Sequence, residues 1–257
     1  MANYIVGMSN MGYHSQSGIS SSAVKSVYKK TLAHWKGEKR TQTAAFTMGS
    51  AVHALLLEED RNLVKKGPKT KASAAFKAQK EELNEDEVLL TEVEYNVANR
   101  IAKGALDNPS CKSLLRHKER VNEVSIFQQD PISGLLLKTR PDLMILSEQT
   151  VYDVKTTQDA SPRGFQNECF KYSYHIQAAF YVYVCQLAGL DIKEFGFIAC
   201  EKTSPFISHL HIVGPDLLEI ATEQLHRTLG VIAEAEEQAE FGTGWGEYSI
   251  LERPKWL

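Results

Sequence analysis

Apolar residues recur at helical spacing through the first part of the chain and then change period. In AVKSVYKKTLAHWK, Val24, Val27, Tyr28, Leu32 and Trp35 follow a helical repeat. Ser20, Ser21 and Ser22 stand ahead of them, and serine caps a helix start by accepting from its free N–H groups. One helix is predicted there. A second is predicted over 46–59, with Met48, Val52, Leu55 and Leu56 on one face, His53 beside it, and Gly49 suggesting close packing. Residues 61–87 are the most polar stretch, with Lys65, Lys66, Lys69, Lys71, Lys77 and Lys80 ahead of an acidic run. They predict a solvated loop and an exposed helix, with an arm that reaches nucleic acid as the alternative. Helices are predicted over 92–106 and 110–118. From Val121 the runs become short and β-branched or alternating: VNEVSIFQQ, GLLLKTRPDLMIL and TVYDVKTT, parted by turn signals such as Asp130-Pro131 and Ser133-Gly134, predict three neighbouring strands. Helices over 162–170 and 175–190, strands over 195–201 and 207–213, and a long amphipathic helix over 215–240 complete the pattern. This order predicts an α/β fold, a mixed central sheet flanked by helices.

At 257 residues the chain suits a single domain, with a helical part over 1–120, a core over 121–240 and a tail over 241–257. Trp245, Tyr248 and Trp256 in the tail favour burial or a subunit contact. With 43% hydrophobic and 24% charged residues the composition is that of a globular protein, which excludes disordered and fibrous classes. No apolar run approaches the roughly 18 residues of a membrane span, and residues 1–18 are too polar for a signal peptide. The expectation is a cytoplasmic protein without a membrane partner. Cys111, Cys169, Cys185 and Cys200 are too few and scattered for a disulfide framework or a CxxC zinc site, and are expected as reduced thiols. The formal charge of −3 argues against a surface coated in positive charge, yet leaves room for one basic channel.

The chemistry concentrates in RPDLMILSEQTVYDVKTT. Asp142, near the end of one predicted strand, and Asp153, in the next, are joined by a turn at 147–149, so neighbouring strands bring the two carboxylates together. Clustered carboxylates raise one another's pKa, and a hard divalent cation that takes oxygen ligands removes that penalty. Mg²⁺, with Mn²⁺ as substitute, is the expected cofactor. Lys155 follows Asp153 by two residues and so shares its face of the strand, where an ammonium group orients a water and stabilises charge on a pentacovalent phosphate. Val154 turns its side chain to the opposite, apolar face and leaves its carbonyl as a further ligand. The segment by itself also fits an X-Pro-Asp turn followed by a surface ion pair. No G-x-S-x-G, H-E-x-x-H or P-loop pattern occurs.

Taken together, Arg140-Pro141-Asp142, a hairpin-length spacer, an apolar strand ending in Asp-Val-Lys, and Thr156-Thr157 ahead of a helix resemble the PD-(D/E)xK nuclease superfamily. GSAVHALLLEE is similar to the helix that carries a metal-ligating histidine in RecB-like nucleases, which implies that role for His53. His175-Ile176-Gln177-Ala178-Ala179-Phe180-Tyr181 resembles their Q-x-x-x-Y helix, with Gln177 and Tyr181 one turn apart. The order His53, Asp142, Asp153, Lys155, Gln177, Tyr181 is most similar to the RecE type (exonuclease VIII) and its phage relatives, lambda-type exonucleases included.

That resemblance implies a magnesium-dependent exodeoxyribonuclease of a bacterial or phage-infected cell. It would digest linear double-stranded DNA from free ends, 5′ to 3′, and leave 3′ single strands for recombination. A homo-oligomeric ring, trimer or tetramer, and a single-strand annealing partner of the RecT type are implied with it. Two ions would be held by His53, Asp142, Asp153 and the Val154 carbonyl, with Glu123 near the second. Lys155 would position the water, and Gln177 and Tyr181 would orient Lys155 or the phosphate. Ser22, at a helix start that suits an anion, and Arg140 would contact DNA phosphate. Each has an ordinary alternative: a structural helix histidine, a solvent-facing strand glutamate, a plain cap, a salt bridge at the sheet edge. Other readings are a RecB-like nuclease of different polarity, an endonuclease, and a DNA-binding nuclease fold without catalysis. A Cas4-like enzyme is disfavoured because the four cysteines are dispersed.

Overall fold

The computed structural model describes residues 4–38, 43–58 and 61–253. A short helix α1 (Asn10–Ser15) precedes the serine run, and the periodic segment after it is two helices, α2 (Ser21–Lys29) and α3 (Leu32–Gly37), where one was predicted. Thr31 divides them, because its side chain accepts from His34 N and starts a new helix. Ser20 holds the cap position of α2 without a side-chain bond. Helix α4 (Ala44–Leu57), capped by Thr43, buries Ala51, Val52, Ala54, Leu56 and Leu57. Gly49 is not pressed by a neighbour: a Cβ there would meet only Thr156 Oγ1, at 3.8 Å.

The polar stretch holds a strand that its composition conceals. Strand β1 (Val64–Lys66) runs parallel to β2 (Val88–Leu90), with α5 (Ala74–Glu81) between them in sequence. Lys65, Lys66 and Lys71 pair with Glu87, Glu92 and Glu94, which favours the solvated-surface alternative for these three. Helix α6 (Glu92–Asp107) opens with a reciprocal capping box between Thr91 and Glu94, and α7 (Pro109–Leu115) starts on an Asn108 cap.

The next two predicted strands each divide. VNEVSIFQQ becomes β3 (Arg120–Asn122) and β4 (Ile126–Gln129), and GLLLKTRPDLMIL becomes β5 (Leu136–Thr139) and β6 (Leu143–Ile145). The first break is at Glu123, whose φ of 51° is unfavourable for a residue with a Cβ. The second is at Arg140-Pro141-Asp142, where proline removes a ladder donor. The breaks face each other, since Glu123 N donates to Asp142 O at 3.2 Å. Beyond them β4 and β5 form a separate antiparallel hairpin. Strand β7 (Thr150–Thr157), helices α8 (Pro162–Lys171) and α9 (Tyr174–Leu187), strands β8 (Glu194–Glu201) and β9 (Ser208–Ile212), and helix α10 (Pro215–Gln238) follow close to the predicted bounds.

The central sheet runs β3-β6-β7-β8-β9, antiparallel throughout except for the parallel β7–β8 pair. Both faces are covered. Val151, Phe195 and Phe197 pack with Ile176 and Phe180 of α9 and Leu225 and Leu229 of α10. Tyr152, Val154 and Ile198 pack on the other side with Val52 and Leu56 of α4 and Ile101 of α6. Alternation along β7 therefore sends Asp153 toward the face covered by α9, as Val154 faces α4 and α6. Trp245 and Tyr248 are exposed, at 70% and 83%, so of burial or a subunit contact the structure does not show burial within the chain, and Trp256 lies outside the described residues. Among the described residues no helix is long and apolar enough to cross a membrane.

Candidate active site

Five parts of the chain converge on β7. Asp153 is 2% exposed; its Oδ1 accepts from Gln177 Nε2 at 2.6 Å, and Lys155 forms an ion pair with its Oδ2. Asp142, just ahead of β6, is buried, and its Oδ2 accepts from Val154 N at 2.7 Å. Two acids next to one another in this low-dielectric setting cannot both ionise cheaply. Burial, and then the charge of Asp153, hold the Asp142 carboxyl well above the usual range.

His53 reaches in from α4. Its Nε2 lies 2.7 Å from Val154 O and its Nδ1 lies 3.4 Å from Asp142 Oδ2. A carbonyl only accepts, so Nε2 is the nitrogen that carries hydrogen in this arrangement. The Val154 carbonyl, expected to be free, is thus occupied by His53. Their 2.7 Å separation is close to the spacing of about 3 Å between adjacent ligands of an octahedral Mg²⁺, so both could bind one ion after a small parting and a shift of the ring hydrogen from Nε2 to Nδ1, which faces Asp142.

Glu123 completes this side from the chain break. Its side chain is folded inward, and burial, then the Asp142 charge, push its carboxyl up to about 7. One ligand atom from each of His53, Glu123 and Asp142 lies within 4.8 Å of the others, close enough to share a metal ion. One imidazole and two carboxylates, Glu123 held above its ordinary pKa by burial and the Asp142 charge and Asp142 by burial and the Asp153 charge, suit a divalent cation. Asp153 lies outside that threesome because Gln177 and Lys155 engage its oxygens.

Arg140, expected on DNA phosphate, is placed otherwise. Arg140 is 8% exposed, and its Nε donates to Glu123 Oε2 at 2.7 Å while Nη1 donates to Ser9 O at 3.1 Å. It braces Glu123 and is turned away from any external phosphate. Ser22 is exposed on α2, and the serine of that run that is buried is Ser21, beside Tyr181. Burial, then Asp153 and Asp142, hold the Tyr181 phenol well above its ordinary range, so it stays a neutral O–H donor. Gln177 orients Asp153, whereas Lys155 or a phosphate was expected.

Lys25 and Tyr174 escaped the sequence reading. Lys25 Nζ donates to Gln177 Oε1 at 2.8 Å, and the ammonium groups of Lys25 and Lys155 lie 5.3 and 5.1 Å from the centroid of the same Tyr174 ring. Lysine at position 25 looks like Lys29 or Lys30 in sequence. The one cue is that it follows Ser21 by a helical turn, on the face that meets α9.

A family described as a PDDEXK-like domain of unknown function (DUF3799) matches residues 20–251. A solved structure from Eubacterium rectale, described as a candidate exonuclease, superposes with a TM-score of 0.66 at 15% identity over 97% of this chain and 96% of that one. The structure of the protein SSO0001 aligns at a TM-score of 0.33 and 11% identity, over 76% of this chain and 87% of that one, too loosely to carry an argument. No curated protein matches the sequence.

Proposed function

This chain belongs to the family of PDDEXK-like domains of unknown function (DUF3799), a branch of the PD-(D/E)xK nuclease superfamily, and from that premise we propose that it is a divalent-metal-dependent exodeoxyribonuclease. Its substrate would be linear double-stranded DNA, digested 5′ to 3′ in the manner of the RecE type. The observation that carries the reading is the polar cluster on β7: Asp142, Asp153 and Lys155 sit together with Gln177 and His53, joined by hydrogen bonds and an ion pair.

His53, Glu123, Asp142 and the Val154 carbonyl would hold Mg²⁺ or Mn²⁺, with Asp153 disposed toward a second ion. Bound metal would supply Lewis acidity and neutralise charge on the phosphate. Lys155, steadied by Asp153, donates a hydrogen bond to the attacking water and offsets negative charge on the phosphate oxygens. Water oxygen adds to phosphorus as one of its protons passes to solvent, the P–O3′ bond breaks, and the departing 3′ oxygen takes up a proton from solvent. Gln177 keeps the Asp153 carboxylate from rotating, and Tyr181 offers a neutral donor to the phosphate. Exposed Trp245 and Tyr248 favour a contact with a second copy, consistent with a ring-shaped homo-oligomer in a bacterial or phage-infected cell. The 3′ single strand left behind would load an annealing protein of the RecT type.

The test is a linear duplex labelled at the 5′ or the 3′ end, with Mg²⁺ or with chelator, beside a covalently closed circle. Early release of the 5′ label, dependence on metal and an intact circle are expected. Asp153→Ala and Lys155→Ala should each lower the rate at least about 10³-fold while leaving DNA binding in place. Retained digestion in either variant removes β7 from the reaction; early loss of the 3′ label reverses the polarity, and a cut circle makes the enzyme an endonuclease.

A further inference from the structure

Gln177 stands between a group that only donates and a group that only accepts. The Lys25 ammonium has no acceptor, and the Asp153 carboxylate, when ionised, has no donor. An amide can sit between them one way round: Oε1 toward Lys25, at 2.8 Å, and Nε2 toward Asp153 Oδ1, at 2.6 Å. Turned over, it would set oxygen against oxygen on one side and N–H against N–H on the other. Without Lys25 nothing in that contact distinguishes the two states on the α2 side, and the flipped amide would repel Asp153.

Further geometry supports a built role for this lysine. Its partner is 152 residues away, across the α2–α9 contact, so the bond is a tertiary feature and not a local one. Tyr174 packs its ring beneath both Lys25 and Lys155, which lets two ammonium groups approach one carboxylate; cation–π attraction partly offsets their mutual repulsion. We propose that Lys25 is a positioning residue: through Gln177 it holds the Asp153 carboxylate so that Oδ1 is occupied and Oδ2 is turned to Lys155 and the metal. The proposal rests on the nuclease reading above.

The experiment compares wild type, Lys25→Met, Gln177→Leu and the double variant, reading kcat and KM on linear duplex with Mg²⁺, and Mn²⁺ affinity by calorimetry without DNA. Lys25→Met should lower kcat and weaken Mn²⁺ binding by about 10-fold, the lower end for a group that orients a metal ligand, with KM for DNA unchanged. In the Gln177→Leu background it should add nothing further, because its route of action is gone. Lys25→Arg, which keeps a donor, should restore most of both. Additive losses, a rise in KM alone, or unaltered kcat and Mn²⁺ affinity would each overturn the proposal, the first two by showing that Lys25 acts on DNA directly. If Lys25→Met does not fold, Lys25→Gln enters the same comparison. A wild-type chain that binds Mn²⁺ and does not cut would sink the nuclease reading instead, and the calorimetry would still decide Lys25.

Discussion

Asp142 shows at the scale of one residue how function sets itself against stability. Its carboxyl is buried beside Asp153 and Glu123, and without metal the three acids are offset by Lys155, Arg140, His53 and, through Gln177, Lys25. Asp142→Asn keeps the oxygen that accepts from Val154 N and removes one of the competing charges. In chelator this variant should therefore be more stable than wild type, by roughly 0.5–2 kcal/mol, while losing both metal-dependent cleavage and the rise in melting temperature that Mg²⁺ gives wild type. Thermal melts in EDTA and in Mg²⁺ check it, and a destabilised variant in EDTA would mean that the ionised pair is not the dominant strain. The residues of this site were unequally legible in sequence. Asp153 and Lys155 lie two apart on a strand, so covalent spacing alone puts them on one face. Lys25 has no such neighbour to declare it: its meaning comes from Gln177 across the fold, and one sequence records neither the contact nor the burial.

Elements were legible where periodicity is unbroken and lost where two short ones follow without a change of pattern. Helices α6 and α8 lie close to their predicted bounds because capping residues and apolar spacing agree, α10 because Pro215 opens an unbroken amphipathic repeat, and α9 on its apolar spacing alone. Strands β3 and β4 read as one because Glu123 interrupts the backbone without interrupting the alternation of side chains, and the same is true of β5 and β6 around Pro141. These hidden breaks carry the chain from the central sheet to the hairpin and aim Glu123 and Asp142 at His53, so the missed feature is the one that shapes the metal side of the site. Gly104, inside α6, gives an element-scale test. In an exposed helix interior Gly→Ala gains about 1 kcal/mol. Here a Cβ would fall 2.0 Å from Phe206 O, a backbone atom in the loop between β8 and β9. Overpacking costs about 1–3 kcal/mol, so the clash should outweigh the propensity and Gly104→Ala should melt several degrees lower than wild type. A rise in melting temperature would show that the β8–β9 loop yields to α6 freely.

Across the whole molecule, a two-sided apolar packing encloses one polar site drawn from α2, α4, the paired chain breaks, β7 and α9, so proton binding, metal binding and folding are linked there. Glu123 has a folded pKa of about 7 against an ordinary 4.5, and Asp142 is shifted in the same direction. A carboxyl raised in this way contributes its relative stability below the unfolded pKa and loses it as pH climbs through the folded one. His175 and His211, both lowered by burial, act oppositely, gaining stability as pH rises toward their ordinary value. The absolute melting temperature therefore mixes the two. The difference between melts with Mg²⁺ and with EDTA separates them, since neither histidine belongs to the cluster while the ion needs the carboxylates ionised. Lys25, which burial and Lys155 bring down to about 7, acts on absolute stability in the same direction as the histidines, and as pH rises through that value it also removes a positive charge that opposes the ion. The Mg²⁺-induced increase in melting temperature should consequently be small at pH 5.5 and grow steadily to pH 8, with protons released on metal binding below pH 7. Asp142→Asn should flatten that growth along with the metal response. An increment independent of pH in wild type would mean that the ion binds without discharging these carboxyls, and would move the metal away from His53, Glu123 and Asp142.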